Sequence, residues 1–168
     1  MKYIIDFNVK IEIANVNDVY IIFKFQDEVL KDMENKDFFV PLNYNEILDA
    51  INNGKIYLLY FECELIGLCV LNCKPKYDII SEYKLSDNEN VGILDSVMIK
   101  REFRGSKLQK QIIEYIDKDI VDYGLKSVVA TVHPDNVWSL NNLLDSNYEI
   151  INKLIVHGGE RYILCKKY

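Results

Sequence analysis

DSVMIKREFRGSKLQKQII, residues 95–113, runs from a β-rich apolar segment through a turn at Gly105-Ser106 into a stretch with helical spacing. Five cations, Lys100, Arg101, Arg104, Lys107 and Lys110, stand against the single Glu102, a local balance of +4 in a chain whose formal net charge is −6. A helix N-terminus has amides without intrahelical partners and the positive end of the macrodipole, so a Gly-opened helix start among cations is suited to an anion. The bland alternative is a turn that caps the chain while its cations stay solvated. GxxxxGK[ST] is absent, which excludes a Walker loop, and no GxGxxG follows a buried strand, which excludes a Rossmann fingerprint.

The flanking periodicity sets this turn in a βαβ order. Residues 91–99 read as a strand and 106–123 as a helix with an i+4 ladder of Leu108, Ile112, Ile116 and Ile120. Residues 126–133 read as a second strand, predicting a parallel or locally splayed pair. Upstream, 3–13 alternates as one strand. Residues 16–34 follow helical spacing behind a capping Asn15, and 44–52 form a second helix stopped by Asn53-Gly54. Segments 55–61 and 64–73 make an antiparallel hairpin over Glu62-Cys63, and 74–90 is read as one long connection. Downstream, Asp135 is placed to cap a helix with an apolar stripe of Val137, Leu140, Leu143 and Leu144. Strands at 148–157 and 160–167 then hinge at Gly158-Gly159.

A chain of 168 residues with 49% hydrophobic and 27% charged residues fits one domain over 1–168, and no apolar run reaches the roughly 18 residues of a membrane span. The start of the chain reads as a strand and not as a signal peptide, so the cytoplasm is the expected compartment and no membrane partner is expected. The acidic balance argues against nucleic acid, which needs a broad basic face. Cys63, Cys69, Cys73 and Cys165 show no CxxC pairing and no histidine at metal spacing. They are read as buried thiols in strand-like contexts, with no metal expected.

The run 95–113, followed by a strand and HPDNVWSLNNLLDSNYEI at 133–150, resembles the GNAT N-acetyltransferase superfamily. The resemblance spans nearly the whole chain, whose element order β–α–α–β–β–β–α–β–α–β–β matches that family's layout. It implies an α/β (α+β) fold: a mixed, mostly antiparallel twisted sheet of about seven strands flanked by about four helices, with the fourth and fifth strands splayed. It also implies acetyl-CoA as acetyl donor, without a metal. On the positions that match, Val97, Met98 and Ile99 would face the pantetheine arm and thioester. Arg104, Gly105, Ser106, Lys107, Leu108 and Gln109, with Lys110 beside them, would hold the pyrophosphate, and Asn136 would contact the cofactor. Lys107 stands where the pattern has a Gly, and Gln109 where it has Gly or Ala.

The same resemblance implies direct attack of a neutral amine on the thioester, with the amide of Met98 or Ile99 holding the carbonyl oxygen. The family's usual tyrosine acid falls on Leu143, so that role is vacant, and Tyr148 is read as packing. Candidate bases are Asp95, His133 and Glu89, each with a structural alternative. Asp95, on the period of a strand, shares a face with Ile93, Val97 and Ile99. Asp32, Glu34, Asp37, Asp78, Glu82, Asp87 and Glu89 either line a pocket for a cationic acceptor or form a solvated surface. The reading is an N-acetyltransferase for a primary amine of a small molecule, amino acid or peptide. The alternative is a weak or inactive acyl-CoA-binding sensor or scaffold, and the last strands expose an edge that could pair a homodimer.

Overall fold

The computed structural model describes residues 2–4, 8–85 and 90–168. Eight strands, β1 (Lys2–Ile4), β2 (Val9–Ile13), β3 (Gly54–Phe61), β4 (Glu64–Asn72), β5 (Val91–Ile99), β6 (Ser127–Val132), β7 (Glu149–Val156) and β8 (Gly159–Lys167), form one sheet in the order β1-β2-β3-β4-β5-β6-β8-β7. All neighbours are antiparallel except β5 and β6. The helices are α1 (Val19–Lys31), α2 (Tyr44–Asn53), α3 (Tyr77–Glu82), α4 (Leu108–Tyr115), α5 (Asp117–Asp122) and α6 (Val137–Asp145).

Alternate residues of β3 enter opposite cores, as a central strand covered on both faces requires. Ile56 and Leu58 pack with α1 and α2. Tyr57 and Leu59 pack on the other face with the ladder Leu108, Ile112, Ile116 and Ile120 and with Leu143. A capping box of Asn15 and Asp18 opens the 3-10 turn Val16–Asp18 that leads into α1, and one of Asn43 and Glu46 opens α2.

Several expectations are corrected. The first strand is a hairpin, β1 pairing β2 with Ile4 opposite Val9, which raises the strand count to eight. Gly54 is no left-handed helix stop: its φ is −158°, and a Cβ there would lie 2.0 Å from the Leu71 carbonyl oxygen. Close approach of two strands is what demands glycine at that position. The 74–90 connection contains α3, whose Ile80, with Tyr83, packs on Val91, Ile93, Val129 and Ile163. Two buried side chains in a polar stretch are too few to show a period.

The 106–123 helix begins at Leu108 and divides at Ile116 into α4 and α5, with the apolar ladder continuous across the break. Asn136, not Asp135, caps α6, its side chain accepting from the Ser139 amide at 3.3 Å. The predicted stripe of α6 is only partly inward: Leu143 is buried and Leu140 half-buried, while Val137 and Leu144 are exposed. Cys63 lies exposed in the β3–β4 turn, Cys69 and Cys73 are buried, and Cys165 is half-buried. At the last hairpin the left-handed residues are His157 (φ 53°) and Gly158 (φ 78°), and Gly159 already belongs to β8.

Candidate active site

β5 and β6 pair in parallel from Val91↔Ser127 to Leu94↔Ala130 and then part. Beyond that point β5 stays with β4 as far as Ile99↔Gly67, while β6 follows β8 to Val132↔Tyr162. The cause is local. Val70 pairs with Ser96 but Leu71 with Leu94, so Asp95 is the extra residue of a β-bulge, and a bulge bends the strand that carries it.

The same bulge breaks the period on which Asp95 shares a face with Ile93, Val97 and Ile99. Ile93 packs with α3, whereas Val97 and Ile99 pack on the opposite face with α4. Asp95 instead stands within electrostatic reach of Glu46 and Tyr83. Its side chain keeps solvent access, although protein crowds around it. That withdrawal from water, and secondarily the Glu46 carboxylate, pushes its pKa up to about 6.

Bond alternation tells which amides face the gap. The Lys100 amide donates to the Ile66 carbonyl at 2.9 Å, so along this antiparallel ladder Met98 and Ser96 also turn their amides to β4. Val97 and Ile99 turn theirs away, and Arg104 Nε donates to the Ile99 carbonyl at 3.0 Å. Between the two expected carbonyl donors, the register thus favours Ile99 over Met98 and adds Val97.

At the mouth of the gap, Arg101–Phe103 makes one 3-10 turn, Gly105 takes φ 77° and Lys107 φ 63°. The first bond of α4 runs from the Gln111 amide to the Lys107 carbonyl at 2.9 Å. No acceptor among the described residues meets the amides of Gly105, Ser106, Lys107, Leu108, Gln109 and Lys110. Ser106 Oγ donates to the Phe103 carbonyl and closes the turn. The Gln109 side chain bridges to α6, donating to Ser139 Oγ at 2.9 Å and accepting from Asn142 Nδ2 at 3.0 Å. Leu108 is buried.

The charge island is smaller than its sequence balance, because the Lys100 ammonium is bound to Glu28 at 2.7 Å and Glu64 at 2.8 Å. Arg101, Arg104 and Lys107 remain exposed at the turn, and Lys110 is 3.9 Å from Glu114. Lys107 explains why a glycine suits its position: a left-handed side-chain residue costs about 1–2 kcal/mol. Lys107→Gly is therefore expected to stabilise the fold by about 1 kcal/mol. In urea unfolding this would appear as a higher midpoint at unchanged slope.

Around Asp95 the tertiary structure assembles residues that the sequence did not single out. Tyr83 Oη and His157 Nε2 are 3.1 Å apart. Burial, and then the Arg161 charge, lowers the His157 pKa, while burial, and then Asp95, raises that of Tyr83. Buried Arg161 donates through Nη2 to the Asp37 carbonyl at 2.7 Å, and Gln26 clamps Leu42 through two bonds of 3.1 and 3.0 Å. Together they seat the loop between α1 and α2. No motif marks these residues, because contact between distant segments brings them together.

Of the other candidate bases, Glu89 lies outside the described residues, as does Asp87. His133 packs against Phe38, ring centroids 5.2 Å apart, and its Nδ1 accepts from the Asp135 amide at 3.1 Å. In the neutral ring that bond places the proton on Nε2. The carboxylate acting on Asp95 is Glu46, and Glu82, one of the acids read as lining an acceptor pocket, acts on Tyr83 and His157. Leu143 and Tyr148 are buried in the core. Among the described residues, no cluster of three or more His, Cys, Asp or Glu is placed to hold a metal, and no helix is long and apolar enough to cross a membrane.

No family model matches the sequence, and no curated protein does. Solved structures do match its fold. A GNAT-family acetyltransferase from Listeria monocytogenes superposes with TM-score 0.75 at 17% identity, covering 95% of each chain. A GNAT-family acetyltransferase from Streptococcus pneumoniae gives 0.72 at 15%, over 95% of this chain and 98% of that one. Arabidopsis thaliana Naa50, in complex with the bisubstrate analogue CoA-Ac-MVNAL, gives 0.70 at 13%, over 95% and 99%.

Proposed function

From the GNAT acetyltransferase fold that this chain adopts, we propose that it is an acetyl-CoA-dependent N-acetyltransferase acting on a primary amine of a small molecule, amino acid or peptide. One observation carries the reading: six unpaired amides at Gly105–Lys110 open directly beside the gap between β5 and β6. The donor set fits the coenzyme. A row of amides at a helix start, with Arg104 and Lys107, suits a pyrophosphate, and the gap between strands suits an extended pantetheine arm.

When bound, acetyl-CoA supplies an acyl thioester whose thiol, of ordinary pKa about 8.5, can depart without full protonation. That property bears on Leu143, which leaves no phenol at the position expected for an acid. The amide of Ile99 or of Val97, turned away from β4 by the strand register, would be a preorganised donor to the thioester carbonyl oxygen. Asp95, ionised above about pH 6, takes the proton that an ammonium acceptor must lose. Asp95 and Glu46 on the acceptor side favour a cationic partner.

The burial of Leu143 also favours a second reading, a domain that binds acyl-CoA without turning it over. Thiol release from acetyl-CoA with a panel of primary amines tests the two. Amine-dependent release above the hydrolytic background is expected; tight CoA binding with no such release would leave the binding-only domain.

A further inference from the structure

We infer that Trp138 is the platform on which the adenine ring of the coenzyme stacks, an assignment that rests on the acyl-CoA reading above. Trp138 is 79% exposed, in the first turn of α6. An indole is the largest apolar surface a side chain can offer, and no part of the described protein covers this one.

Its position follows from the bonds beside it. Gln109, in the first turn of α4, is tied to Ser139 and to Asn142. The N-termini of α4 and α6 therefore lie side by side. Residues 138 and 142 share a helix face at i, i+4 spacing, so Trp138 stands about 6 Å along the helix axis beyond the Asn142–Gln109 bond, toward the open N-terminal end. The unpaired amides of Gly105–Lys110 and the exposed Arg104 and Lys107 open at that same end. A diphosphate held on those amides would leave its nucleoside to continue past the α6 start, where the indole offers a planar face. Stacking tolerates any base with a π face, and a tryptophan provides it without needing a hydrogen-bond code.

The chain has a single tryptophan, so its fluorescence reports on this site alone. CoA is expected to quench that emission, whereas 4′-phosphopantetheine, which lacks the nucleoside, is not. Trp138→Ala is expected to weaken CoA binding about tenfold by calorimetry. It should leave 4′-phosphopantetheine affinity unchanged, and Trp138→Phe should restore most of the loss. CoA affinity indifferent to Trp138→Ala would overturn the assignment while leaving the acyl-CoA reading in place. Absence of CoA binding by the wild-type protein would overturn both. Emission that follows protein concentration and not CoA would mark a contact between copies of the chain and overturn the adenine platform.

Discussion

Replacement of Asp95 by Asn is expected to lower kcat/KM for acetyl transfer by about 100-fold or more, the range in which a positioned general base contributes. The substitution keeps the shape of the side chain and removes only its capacity to accept a proton. In the wild-type protein the rising limb of the pH profile should lie near pH 6, because the working form is the carboxylate and its pKa is pushed up to about 6. The Asn variant should lose that limb. Its deficit should be larger for a lysine-type amine, of pKa about 10.4, than for an α-amine near 7.7–8.0, which is already partly neutral at physiological pH.

Stability moves the other way. A carboxyl whose folded pKa lies above its ordinary 3.8 binds protons more tightly in the folded than in the unfolded chain, so stability falls as pH rises from about 4 to about 6. The exposure of Asp95 to solvent screens the effect, but its sign holds. The Asn variant should thus be at least as stable as wild type at pH 7, and the advantage should vanish near pH 4. A catalytic loss beside retained or increased thermal stability separates a base from a mere structural ion. An unchanged profile with unchanged kcat/KM would remove Asp95 from the mechanism.

Reversal of both turn cations, Arg104→Glu with Lys107→Glu, is expected to weaken CoA binding by at least about 100-fold. Hydrogen bonds to charged groups contribute about 1.5–3 kcal/mol each, and the new carboxylates would repel the phosphates as well. Both side chains are exposed, so the fold has little reason to respond beyond the bond from Arg104 Nε to the Ile99 carbonyl. Calorimetry at low salt measures the affinity, and circular dichroism checks that α4 persists. Since screening weakens exposed charges, the gap between variant and wild type should narrow as salt rises. A dissociation constant within threefold of wild type would mean that the phosphates sit elsewhere.

The turn at Gly105-Ser106, the βαβ order around it, the ladder from Leu108 to Ile120 and the Asn15 cap were all legible in the chain, because each depends on neighbours within a few residues. Local patterns failed where one residue changed the count or too few were buried. The bulge at Asp95 shifted every later side chain of β5 to the face opposite to the one its period predicts. α3 contributes only a short buried patch, and the hairpin of β1 and β2 was hidden inside one alternating run.

The alternation and spacing of apolar residues by themselves determined a two-faced sheet with a cationic helix start, since burial periodicity is a property of consecutive residues. Tertiary contact alone decided that Lys100 is neutralised by Glu28 and Glu64, and that Glu46, Tyr83 and His157 gather near Asp95. Charge and proton affinity depend on distance through space, and residues far apart in the chain have no spacing from which that distance can be read.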